Sequence, residues 1–241
     1  MSYILQNAIR LLIDAPGATL LGLPRLLTDP GYRATLLKTC ADPVIRRYWE
    51  VEYEGYDKRF ETEAISPILN KIGALLGNPA IRNIVGQPKS TIDIPAVMDG
   101  RRMLIVNLSK GRLGEEPTHL LGAFLTTAIA QAAEARAAFP EESRVPFTLY
   151  ADEFQNFATE SFASILSESR KYKLQLCVAH QFLGQLPDSL RQSVLGNVAT
   201  IFAFRIGPED APLIGDVLRL SESLALTDTG NFRAWVKTLY N

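Results

Sequence analysis

Four short apolar runs, at residues 103–108, 147–151, 174–179 and 200–206, constrain the fold most, because stretches with helical periodicity separate them. A connection long enough to hold a helix joins parallel strands, so the strand, helix, strand order predicts a parallel sheet with crossover helices. The runs lack polar alternation, which predicts a sheet covered on both faces. In such sheets ligands bind at the carboxyl ends of the strands. The longest intervening helix is expected at about 118–138, with shorter ones after Ala158, Pro187 and Pro208.

Residues before Asp99-Gly100 follow a different pattern. Leu5, Ile9, Leu12 and Ile13, and again Ile65, Ile68, Leu69, Ile72 and Leu75, recur at helical spacing. Pro and Gly punctuate these runs at Ala15-Pro16-Gly17, Asp29-Pro30-Gly31, Asp42-Pro43 and Gly77-Asn78-Pro79. The expected architecture is a helical subdomain at 1–98 followed by an α/β core at 99–241. No fixed-period repeat or low-complexity tract argues for a solenoid or a linker.

Composition narrows the chemistry. The 25 Lys and Arg against 26 Asp and Glu leave a formal charge of -1, so no global field favours nucleic acid or anionic lipid, and any polyanion site must be local. Cys40, Cys177, His119 and His180 form no ligand pair at zinc-finger spacing and no disulfide framework. The apolar stretch at 3–23 is broken by Arg10, Asp14 and Pro16, and no segment reaches the roughly 18 uncharged residues of a membrane span. The expectation is a cytoplasmic chain without its own anchor.

Polar residues concentrate where the apolar runs end. The run at 147–151 passes directly into Asp152-Glu153. In P-loop enzymes the first such acid holds magnesium, usually through a loop hydroxyl or water, and the next orients and deprotonates the attacking water. The alternative is that both acids start a helix or solvate a loop. The next run ends in His180-Gln181; an amide both donates and accepts, so Gln181 can contact a γ-phosphate oxygen and the lytic water together. His180 has no nucleophile or metal partner near it in sequence and is assigned no role. Arg205 closes the last run, where its fork of donors suits a transferring phosphate or, equally, pairs with Glu209 or Asp210.

A phosphate-binding loop requires GxxxxGK[ST]. No segment satisfies it. Beside Lys89-Ser90, Pro88 stands where the second glycine belongs and removes an amide donor, and Asn83 occupies the place of the first.

Read together, MLIVNLSKG at 103–111, LYADEFQNF at 149–157, SESRKY at 167–172, AHQF at 179–182 and residues 197–211 resemble the conjugative coupling-protein ATPases. These TraG/TraD-like proteins of type IV secretion belong to the FtsK/HerA group of hexameric DNA-pumping motors. The resemblance covers nearly the whole chain. It implies a RecA-like P-loop NTPase core, incomplete here, with ATP and Mg2+ as cofactors. Asp152 and Glu153 match the Walker B pair, with Asp152 holding magnesium indirectly; Gln181 matches the sensor glutamine and Arg205 falls near the interface arginine. Residues 1–97 match the helical insertion between the phosphate-binding loop and the Walker B strand. The implied partners are DNA, DNA-processing and secretion proteins, and further copies in a ring, with any membrane association through a region or partner outside these residues. The chain departs from the family because the strand and loop that bind ATP should precede Met1. The loss would leave a gap between the Gln181 strand and the Arg205 strand.

Two other functions compete with a motor fragment. A non-catalytic interaction module would use the core as scaffold. An unrelated magnesium hydrolase built on Asp152 and Glu153 would need further acids, for which Asp93 and Asp99 are the candidates. Direct DNA contact has only the short basic clusters Arg46-Arg47, Arg101-Arg102 and Arg170-Lys171.

Overall fold

The computed structural model describes residues 2–157 and 160–238. The chain divides into two compact units, Met1–Ile92 and Asp93–Asn241.

The first unit is helical. It comprises α1 (Ser2–Asp14), α2 (Gly22–Thr28), α3 (Pro30–Leu37), α4 (Pro43–Arg47) running into a π-helical turn (Tyr48–Tyr53), α5 (Lys58–Gly77) and α6 (Pro79–Val85). The Asp-Pro and Asn-Pro pairs start helices rather than only ending them. Asp29, Asp42 and Asn78 accept bonds from the first-turn amides of α3, α4 and α6, and each following Pro sits at a position whose N–H would have no helical partner. Trp49, Tyr48 and Tyr53 fill the core with Leu11, Leu23, Leu26 and Leu27. Arg33 is buried among them. Its guanidinium donates to the Leu26 carbonyl at 3.0 Å and to Glu54 at 3.1 Å, and lies 4.8 Å from the Tyr53 ring centre.

The second unit is α/β. In chain order it holds α7 (Ile94–Asp99), α8 (Lys110–Leu113), α9 (Glu115–Ala135), β1 (Phe147–Ala151), α10 (Glu160–Glu168), β2 (Leu174–Val178), α11 (Asp188–Asn197), β3 (Ile201–Ala203), α12 (Ala211–Leu218) and β4 (Trp235–Lys237). The helix α7 belongs here because Ile94 and Met98 pack with Ile129, Ala133 and Leu174. A single-turn extension, Arg136–Ala138, carries α9 to the end anticipated from its apolar periodicity. Its Arg136 is buried and reaches the carbonyls of Val145 at 2.9 Å and Tyr172 at 3.2 Å, with Asp99 at 2.7 Å. The helices expected after Pro187 and Pro208 form as α11 and α12; α10 is the helix expected after Ala158, a residue that lies outside those described.

Among the described residues the strands form two two-stranded sheets rather than one. β1 and β2 pair in parallel, Phe147 opposite Leu174 through Ala151 opposite Val178. β3 pairs antiparallel with β4, which carries no strong strand signal in sequence, and β2 does not bond to β3. Residues 103–108, expected as a strand, join no ladder. Full coverage of both sheet faces is also not found: Tyr150 is 75% exposed, and Gln175 and Cys177 face solvent. With only two strands, the sheet has too few neighbours to cover residues whose apolar character suits a buried interior.

Candidate functional site

Ladder geometry brings the strand ends together. Beyond the last ladder pair, Ala179 N–H donates to the Ala151 carbonyl at 2.9 Å, and Phe154 N–H returns to the Ala179 carbonyl at 2.8 Å. Asp152 and Glu153 are thereby trapped in a tight loop against the exit of β2. The Phe154 ring is fully buried, 4.6 Å from the Phe162 ring, and anchors the loop from below.

Turning so sharply forces Glu153 into the left-handed region, at φ 51° and ψ 43°. A side chain with a Cβ occupies that region only at a cost, and such strain concentrates at working sites. The Asp152 carboxylate accepts from the Glu153 N–H at 3.0 Å. The Glu153 carboxylate is held at both oxygens: Gln181 Nε2 donates to Oε1 at 3.0 Å and Gln155 Nε2 to Oε2 at 2.5 Å. Asp152, Glu153 and Gln181 are all exposed, so the group opens to solvent.

The structure thus brings together three of the four residues singled out by sequence. Arg205 lies just beyond β3, exposed, and among the described residues makes no hydrogen bond or ion pair; neither Glu209 nor Asp210 engages it. Asp210 instead accepts from the Leu183 N–H at 2.8 Å. Sequence reasoning passed over Gln155, whose signal was its place two residues beyond the second acid, within reach of that acid across a tight turn. His180 is half-buried, and burial lowers its pKa from 6.5 against the opposing pull of the Phe182 backbone and the Asp210 carboxylate.

A hard dication takes about six oxygen ligands. Among the described residues no group of three His, Cys, Asp or Glu side chains converges. The two further acids considered are otherwise engaged: Asp93 caps α7 through Ala96 N–H, and Asp99 faces Arg136. The loop at Lys89-Ser90 leads into no phosphate cradle either, since Ser90 Oγ donates to the Ile92 carbonyl and α7 begins only at Ile94. Beside Glu153, whose oxygens are engaged, Asp152 leaves one carboxylate open at this edge, and any divalent ion there would need most of its ligands from outside these side chains. Among the described residues no helix is long and apolar enough to cross a membrane. Comparison with family models, curated proteins and solved structures finds no match to the chain.

Proposed function

We propose that the chain is the water-activating portion of an ATP-driven DNA-translocating motor of the conjugative, type IV secretion coupling-protein kind, active when a phosphate-binding loop is supplied from outside residues 1–241. The observation that carries this reading is the Glu153 carboxylate, held at both oxygens by amides beside Asp152 at the carboxyl ends of two adjacent parallel strands. ATP with magnesium supplies the phosphoryl group under attack. With ATP and magnesium bound, Glu153 would take a proton from the attacking water, Asp152 would hold the ion indirectly, and Gln181 would turn from Glu153 to the terminal phosphate and the lytic water. The core is read as part of a RecA-like sheet whose phosphate-loop strand lies between β2 and β3; the lack of bonding between those strands supports that placement. Arg205, exposed and unengaged among the described residues, suits a site completed by a neighbouring copy in a hexamer.

The absence of GxxxxGK[ST] favours a second reading, in which the core is a scaffold and the helical unit binds a DNA-processing partner. Magnesium-dependent ATP hydrolysis separates the two. The motor reading expects no turnover by residues 1–241 alone and turnover once a polypeptide carrying the loop is added. No turnover in either state rejects it in favour of the scaffold.

A further inference from the structure

A cleft of about 1490 Å³ lies along the edge of β1 opposite to β2; residues 101–110 form its other wall, and no residue of β2 lines it. Its floor is α9. The two walls run the same way. At one end, α7 packs near the close of α9, with Asp99 on Arg136; at the other, α8 lies at its start, with Lys110 Nζ 3.4 Å from Glu115. β1 likewise enters near Arg136, through Val145, and its continuation reaches Phe157, which lies against Gly122. From Glu115 to Arg136 the helix spans about 31 Å at 1.5 Å per residue. The eleven steps from Asp99 to Lys110 cover at most about 36–40 Å. Residues 102–109 thus have length enough to run beside α9, and they hold no helix or strand.

Both walls offer unpaired backbone. No backbone group of residues 103–108 has a hydrogen bond among the described residues, and β1 uses only its β2 side. The surfaces between are apolar: Leu104, Leu125, Ile129 and Leu149 line the cleft, and Ile105 and Tyr150 are 84% and 75% exposed. A six-residue strand, about 20 Å long in a layer about 4.8 Å wide and 10 Å deep, occupies roughly 1000 Å³, which the cleft accommodates. Unpaired backbone donors and acceptors on the two walls can be satisfied by an extended peptide placed between them.

We infer that the cleft receives one extended strand from a separate polypeptide, parallel to β1 and bonded to both walls. Charge fixes its polarity and flanks. Arg101 and Arg102 stand where the strand enters, and Asp152 and Glu153 where it leaves, while Lys110 at that end is already beside Glu115. The partner segment is thus an uncharged, β-branched run of about six residues, preceded by an acid and followed by a base. The inference concerns a different edge of β1 from the one that pairs with β2, shares only Asp152 and Glu153 with the proposed hydrolytic site, and holds whether or not the chain hydrolyses ATP.

The test uses the whole chain with a fluorescein-labelled peptide, acetyl-EVTVIVTK-amide, and the same peptide N-methylated at alternate residues, which removes the donors toward one wall. Expected are saturable anisotropy change, at least tenfold weaker binding of the N-methyl peptide, and new hydrogen-exchange protection at 103–108 and 147–151. Ile105→Asp, at a position exposed enough to leave the fold intact by circular dichroism, weakens binding at least tenfold. No saturable binding, equal binding of the N-methyl peptide, or strong protection of both segments in the free chain overturns the inference; the last would mean that the walls pair with each other.

Discussion

Left-handed backbone at Glu153 makes an unusual stability order testable. At most positions Ala is more stable than Gly by about 0.5–1 kcal/mol, because Gly loses more chain entropy on folding. At φ 51° the Cβ itself carries a penalty of roughly 1–2 kcal/mol that Gly escapes. Glu153→Gly and Glu153→Ala both delete the carboxylate and its bonds to Gln155 and Gln181, so those losses cancel in the comparison. At the middle of both ranges the difference leaves Gly the more stable variant by about 0.75 kcal/mol. With a urea slope of about 2 kcal/mol per molar, its midpoint should lie about 0.25–0.5 M higher. Urea titrations followed by circular dichroism read that difference directly. An Ala variant as stable as the Gly variant would show that residue 153 is not held in the left-handed region and that the tight turn does not position the carboxylate.

In an assembly that turns over ATP, Glu153→Gln should abolish hydrolysis while sparing nucleotide binding, and Arg205→Ala should lose activity only in the oligomer; turnover at the unmodified rate would remove those roles. Arg136→Met should cost about 2 kcal/mol, seen as a lowered thermal midpoint, because it strands two part-buried carbonyls and leaves Asp99 without its cation. Burial lowers the His180 pKa below its unfolded value of 6.5, so the unfolded chain takes up the proton first. The stability it contributes is complete above that pH and is lost as pH falls through the folded value. His180→Gln should flatten the fall in urea midpoint between about pH 7 and pH 5, and an unchanged slope would show that another group causes it.

The parts legible in sequence are those that local chemistry decides. α9 shows because its apolar stripe is long, whereas the Asp-Pro and Asn-Pro pairs read as breaks between helices and their role in starting α3, α4 and α6 emerges only with the caps. β1 and β2 were readable, and with them Asp152, Glu153 and Gln181, because polar residues follow directly on apolar runs. What escaped was pairing. Residues 103–108 have strand composition, yet a strand needs a neighbour, and composition does not name one. The antiparallel match of Trp235–Lys237 with Ile201–Ala203 joins segments about thirty residues apart and leaves no local mark. Gln155 escaped for the same reason, since its bond to Glu153 depends on a backbone turn that no Gly or Pro announces.

Arg136 bears on the order in which the second unit folds. A hairpin sets the register of its own strands, but β1 and β2 are parallel and joined through α10, so no turn sets theirs. One guanidinium bonds to a carbonyl just before each strand, at Val145 and at Tyr172. Alignment of the pair by this side chain therefore waits until the end of α9 is formed and docked. The helix acts as a gauge against which both strands are measured, so slowing α9 formation with a mid-helix glycine should delay correct pairing at the Glu153 turn.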